Sequence, residues 1–161
     1  MSIGILAVIW TVRTAMAYYA VAVAAWLLRR EELARWAWTA GAIFFVAHVA
    51  AAFAFVHSWS HEAAYAETAR QTLAMTGFAS GAGLWLNYVF TTVWVADVVW
   101  LWAAPQRYRE RPRWQSAVLH GFMLFMAING TIVFAHGVMR SASIATLGGL
   151  LLIAIFRLRG R

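Results

Sequence analysis

Arginine clusters and apolar runs alternate along this chain, and that alternation is a pattern a bundle of membrane-crossing helices satisfies. Ten of the thirteen arginines stand in three short groups: Arg29, Arg30 and Arg35; Arg107, Arg109, Arg111 and Arg113; and Arg157, Arg159 and Arg161. Two apolar runs separate each group from the next, and a fifth run precedes the first. All three groups can therefore lie on one side of a bilayer, which is the arrangement that keeps cations in the cytoplasm.

A helix crosses the hydrocarbon core with about 20 mainly apolar residues. The runs 3–28, 36–57, 84–104 and 114–138 reach that length, and the fifth, 142–156, is shorter. Charge placement favours counting it, because only an odd number of crossings returns Arg157–Arg161 to the side of the other clusters. The short run can cross by snorkelling its terminal arginines and thinning the bilayer locally, and Gly148-Gly149 offers a close-packing surface for another helix. The expectation is a single all-α membrane domain of five transmembrane helices, N-terminus outside and C-terminus cytoplasmic. The apolar run from residue 3 to 28 lacks a basic leader and is read as a retained first helix.

Composition agrees with this class. Apolar residues make up 63% of the chain and charged residues 12%, whereas about a quarter of a soluble domain is charged. The net charge of +7 would suggest nucleic acid in a polar protein. Here the excess is arginine beside apolar runs, which suits anionic lipid headgroups, and nucleic acid is not expected. With no cysteine, disulfides, thiolate catalysis and thiolate-held metals are excluded. The setting expected is a bacterial inner membrane, with the bilayer, other membrane proteins or further copies of the chain as partners.

Loops follow from the spans. Pro105 and Pro112 bracket the second cytoplasmic loop, where one helix must stop and the next begin. The long loop, 58–83, carries an Ala-, Glu- and Gln-rich helix at about 61–75 and then three glycines. Nine tryptophans (Trp10, Trp26, Trp36, Trp38, Trp59, Trp85, Trp100, Trp102 and Trp114) fall near span ends, as in an interfacial aromatic belt. Trp94 lies nearer mid-span.

Ionisable and amide side chains within spans are functional candidates by default. Arg13, His48 and Asn129 stand near mid-span in the first, second and fourth runs and can share a layer. Asp97 and His120 share a second layer near the cytoplasm, where a carboxylate–imidazole pair would accommodate both. The bland reading is interhelical glue, and Asn129 is assigned to it. Arg13 has no carboxylate at its depth, so its acceptor must be backbone, water, a lipid phosphate, a bound anion or a partner.

The outer face holds a second constellation. His57 and His61 are one helical turn apart, Glu62 and Glu67 follow, and His136 ends the fourth span on the same side. Three histidines with two carboxylates suit copper, zinc or iron. Alternatively, His57 and His136 can hold a b-type haem between facing helices. The phases of His48 against His57, and of His120 against His136, oppose a stacked pair of haems. Against both stands the reading of these histidines as ordinary polar interface residues.

The stretch His57-Ser-Trp-Ser-His61-Glu-Ala-Ala-Tyr-Ala-Glu67-Thr-Ala-Arg-Gln-Thr72, with Gly83-Leu-Trp-Leu-Asn-Tyr-Val-Phe90 and Val93-Trp-Val-Ala-Asp97, resembles small bacterial multi-pass membrane proteins. The resemblance covers about a quarter of the chain and implies no activity. A likeness to small b-type cytochromes is architectural only.

Three functions remain open. One is a metal- or haem-binding redox site at the outer face. The second is a non-catalytic subunit or scaffold of a larger membrane complex. The third is a small transporter or proton conductor using Arg13, His48, Asp97 and His120. Whether the chain is an enzyme is left undecided, because no G-x-S-x-G elbow, P-loop or H-E-x-x-H motif is present.

Overall fold

Short turns and uninterrupted apolar helices generate the whole architecture. A computed structural model describes residues 2–133 and 137–159 of the chain. It is all-helical, 87% helix with no strand among the described residues, and five helices are long and apolar enough to cross a membrane.

Helix α1 (Ile3–Leu27) opens with the Ser2 hydroxyl accepting from the Ile5 amide. It turns within Leu28–Arg30 into α2 (Glu31–Phe55), so the two must run antiparallel as neighbours. Their shared face is built from small residues: Ala15, Ala22 and Ala25 from α1, and Ala34, Ala37, Gly41 and Ala42 from α2 are buried. Small side chains let helix backbones approach closely. Gly41 has a further role, because a Cβ there would lie 2.7 Å from Cζ2 of Trp94.

Helix α3 (His61–Thr76) matches the expected loop helix, and its sequence explains both ends. Ser60 caps the start by accepting from the Ala63 amide at 3.1 Å. Gly77 ends it at φ 79°, the left-handed conformation that glycine adopts without strain. Helix α4 (Gly83–Ala103) follows, and the short α5 (Pro105–Arg109) starts at one of the two expected prolines. Pro112 precedes α6 (Arg113–Ile128), which continues into a π-helical turn, Asn129–Val133.

Helix α7 (Val138–Arg159) completes the set with 22 residues. It is longer than the apolar run 142–156, because Val138–Ser141 is helical although Arg140 and Ser141 interrupt the hydrophobicity. Helicity and apolarity are different quantities, and the sequence pattern measured the second. The second span also shifts: it begins at Glu31, placing Arg35 inside the helix, and stops at Phe55, leaving His57 outside it.

Successive long helices alternate in direction. The α1–α2 turn, the α5 segment and the end of α7 therefore share one end of the bundle, called here the arginine end, and α3 lies at the other. The core between them is aromatic. Trp38, Trp94, Phe90 and Met123 are fully buried, with Tyr19, Phe45, Leu101 and Tyr108 around them. Trp38 is 0% exposed, so it leaves the expected interfacial belt for the core. Trp10, Trp36, Trp59, Trp85 and Trp114 are exposed.

Candidate functional site

Asp97 is the buried charged residue of the described chain, and the elements around it converge on its carboxylate. It sits in α4, six residues before the helix ends at Ala103. Its Oδ2 accepts from Trp38 Nε1 of α2 at 2.8 Å and from the Tyr108 hydroxyl of α5 at 2.8 Å. Its Oδ1 accepts from Arg111 Nη1 at 2.7 Å. The Asp97 and Arg111 side chains are 0% and 7% exposed, so this is a buried ion pair with its remaining lone pairs satisfied. That completeness is what a buried charge pair needs to offset the cost of leaving water.

Arg111 extends the network. Its Nε donates to Ser116 Oγ at 2.7 Å and its Nη2 to His120 Nε2 at 3.2 Å. A guanidinium only donates, so Nε2 of His120 must accept and the ring proton lies on Nδ1. The His120 ring is flanked by Trp26 at 4.9 Å and Trp38 at 5.7 Å between centroids. The guanidinium also lies over the Tyr108 ring, 4.1 Å from its centroid. Burial, and then the neighbouring Asp97 charge, push the Tyr108 phenol above its usual pKa. Trp94 braces the platform from below, donating to the Trp38 carbonyl at 3.2 Å.

The expected direct Asp97–His120 pair is thus replaced by a bridge. Arg111 belongs to an arginine cluster read from sequence as an orientation signal, yet its side chain turns inward between the two. Trp38 and Tyr108 were likewise missed as donors. The available signal was distance along the chain: Pro105 and Pro112 confine a short reversal, which returns Arg111 to the depth of Asp97.

At the opposite end the histidines do not assemble as the spacing suggested. His57 lies in the turn after α2 and His61 opens α3, with Ser58 and Trp59 between them at left-handed backbone angles, φ 48° and 58°. The His57 ring packs on Phe53, with centroids 5.8 Å apart. His61 Nδ1 is 3.0 Å from the Tyr88 hydroxyl, and its ring packs on Trp85. Glu62 occupies the first turn of α3, where a carboxylate complements the helix dipole. Glu67 pairs with Arg70 and accepts from Gln71 at 3.0 Å. His136 lies outside the described residues. Among the described residues no three His, Asp or Glu side chains converge as a metal-binding group.

The mid-span layer also separates into individual contacts. His48 Nδ1 meets the Val8 carbonyl of α1 at 2.9 Å, an interhelical bond in which the histidine must be the donor. Asn129 makes no interhelical hydrogen bond among the described residues; its amide donates to the Phe125 carbonyl one turn earlier at 2.8 Å. Arg13 lies over Trp10, 5.3 Å from the ring centroid, with no hydrogen bond or ion pair among the described residues. A further cationic contact was not foreseen: Arg35 stacks 3.6 Å from the centroid of Trp102, whose Nε1 donates to Thr39 at 2.9 Å.

No known protein family, curated protein or solved structure matches this chain.

Chemically, the Asp97 cluster is poised to hold rather than to react. Both carboxylate oxygens are occupied and the guanidinium is paired. The one imidazole nitrogen aimed at the network is already an acceptor. What the arrangement does is tie α2, α4, the α5 reversal and α6 to a single point.

Proposed function

We propose that this chain is a non-catalytic scaffold or subunit of a bacterial membrane assembly, and that its intramembrane polar residues fasten its own helices. One observation carries this reading: the Asp97 carboxylate, the group best suited to proton or ion handling, is closed off by Trp38, Tyr108 and Arg111. His48 supports the same view, because its bond to the Val8 carbonyl joins α1 to α2. The free surface is suited to a partner. Beside Gly148 and Gly149 on α7, a Cβ would have no neighbour within 4 Å. The close packing that such residues permit is left for another helix. The arginine end, with its exposed Arg29, Arg30, Arg107 and Arg109, suits anionic headgroups.

A redox centre on His57, His61 and His136 lacks a supporting ligand group among the described residues, and the transporter reading loses its best carrier to the closed cluster. The test uses the full chain, tagged and extracted in mild detergent from its native membrane. A scaffold migrates within an assembly larger than its own 18.0 kDa and, reconstituted alone, carries no proton flux. The reading is overturned if the purified chain holds stoichiometric metal or haem. It is equally overturned if reconstituted vesicles show a proton flux that Asp97→Asn abolishes.

A further inference from the structure

Arg35 is held in place without being neutralised. Its guanidinium lies over the Trp102 ring, 3.6 Å from the centroid. That ring is itself anchored: Trp102 Nε1 donates to Thr39 Oγ1 at 2.9 Å, and the Thr39 hydroxyl donates onward to the Arg35 carbonyl at 2.9 Å. Trp36 meets the same ring edge-on, with centroids 4.7 Å apart. An aromatic face attracts a cation but brings no net charge to cancel it. The ion pairs among the described residues are Arg70 with Glu67 and Arg111 with Asp97, so Arg35 has none there. Its Nε is buried without a hydrogen-bond partner among those residues. The Nη groups lack a partner too but are not sealed, so the donors they carry open outward.

A guanidinium accepts either a carboxylate or a phosphate as partner, and position decides between them. Arg35 stands four residues after the start of α2, about 6 Å along the axis. Trp102 is the next-to-last residue of α4. In the membrane setting proposed above this is the headgroup level, where tryptophans gather and phospholipid phosphates are the oxyanions on supply. Charge narrows the choice further. Exposed Arg29 and Arg30 are balanced by exposed Glu31 and Glu32 in the same turn, which leaves Arg35 as the net cation. A head that is negative overall matches it better than one whose phosphate is offset by its own ammonium. Exposed apolar side chains continue the site deeper along both helices. Ile43 lies seven residues beyond Trp36, and Val99 and Val95 lie three and seven before Trp102, spacings that keep each set on one helix face. Resting on the membrane setting of the reading above, and independently of the scaffold role, we propose that Arg35 on its Trp102 platform binds the phosphate of one anionic phospholipid, whose acyl chains lie along Ile43, Val95 and Val99.

The probe is dioleoylphosphatidylglycerol, titrated into delipidated full-length protein in non-ionic detergent, with bound lipid counted by native mass spectrometry. Saturable retention of one lipid per chain is expected, well ahead of phosphatidylethanolamine with the same acyl chains. Neither dioleoylglycerol, which lacks the phosphate, nor inorganic phosphate, which lacks the chains, should displace it, and palmitate should compete poorly. Arg35→Gln should weaken binding about tenfold, as expected for losing a charge-assisted pair. Arg113→Gln removes an equal, exposed charge at the same end and should leave the affinity in place. Trp102→Leu keeps the cation but removes its platform; it should also weaken binding, and it serves where the arginine variant fails to fold. Full affinity in either folded variant overturns the proposal. So does an equal loss from Arg113→Gln, which would make the attraction diffuse. Retention of phosphatidylethanolamine as strong as that of phosphatidylglycerol overturns it, as does equal competition by palmitate, dioleoylglycerol or inorganic phosphate. Bound metal or a proton flux, which would end the scaffold reading, leaves each of these outcomes as it stands.

Discussion

Trp38 Nε1 and Asp97 Oδ2 stand 2.8 Å apart, joining residues 59 positions distant in the chain inside a core that excludes solvent. An indole nitrogen only donates and a carboxylate only accepts, so the pair is matched and needs no water. With Arg111 on the other oxygen, donors from α2, from α5 and from the turn before α6 define one point in space. The bundle's arginine end is organised around it.

Removing the carboxylate should cost far more than removing the whole pair. Asp97→Leu leaves Arg111 buried without a counter-charge, for a loss of about 3–5 kcal/mol. The double variant Asp97→Leu/Arg111→Leu should recover much of it. Unfolding in detergent by steric trapping measures both. Simple additivity of the two single losses would show that the residues are not coupled.

Gly41 should not tolerate a side chain. Its Cβ would approach the Trp94 ring at 2.7 Å, and the ring is held from moving by its bond to the Trp38 carbonyl. Gly41→Ala is expected to lose about 1–3 kcal/mol as an overpacked site. Trp94→Phe in the same chain should relieve the clash. If Gly41→Ala unfolds like the parent, the two helices are less close than described.

Alkaline pH should weaken the fold through Tyr108. Its phenol is raised by burial and by the Asp97 charge, so the folded chain holds that proton above pH 10 while the unfolded chain releases it. The stabilisation is complete below about pH 10, the ordinary phenol value, and declines as pH climbs toward the raised folded value. Tyr108→Phe should lower stability near neutrality by about 1.5–3 kcal/mol, the value of a hydrogen bond to a charged group. It should also flatten the loss above pH 10. Stability curves across pH 8–11.5 with the same slope in both proteins would contradict this.

His48 should contribute modestly and locally. Its bond to the Val8 carbonyl is an interhelical hydrogen bond of the kind worth about 0.6 kcal/mol on average and about 1.7 at most. His48→Phe keeps the ring against Phe45 and removes the donor, so a loss in that range is expected. A loss several times larger would assign His48 a further partner.

Much of the architecture was legible because it rests on quantities that the sequence displays directly. Apolar length gave the long helices, the Ala-, Glu- and Gln-rich stretch and the glycines after it gave α3, and Pro105 and Pro112 gave the reversal before α6. The site was less legible, and for a physical reason. Arg111 has the same composition signature as its neighbours Arg109 and Arg113, and only the rotation of α5 and the loop decides which one points inward. Trp38 sits near a span end, like the belt tryptophans, and its burial depends on Gly41 making room for Trp94. His57 and His61 had the correct spacing for one helix face, but α2 stops at Phe55 and left-handed Ser58 and Trp59 separate His57 from α3. Periodicity carries no information on such a break.

The Asp97 cluster also bears on how the chain is made. Synthesis delivers Trp38 before Asp97, but Tyr108 and Arg111 only afterwards, so α4 emerges carrying a carboxylate whose counter-charge does not yet exist. For an α4 that crosses a bilayer as proposed, a lone aspartate opposes insertion, by about 2.5–3.5 kcal/mol at a helix centre and by less at the off-centre position of Asp97. Helix α4 should therefore settle into the bilayer together with the segment that follows it. Nascent chains truncated before Arg111 should insert α4 poorly, and chains extended through α6 should insert it well. Equal insertion at both lengths would mean that α4 enters on its hydrophobicity alone. On this view the arginine that neutralises Asp97 acts as a timing element in biogenesis: the bundle is completed in hairpins, with the last charge arriving to lock the one before it.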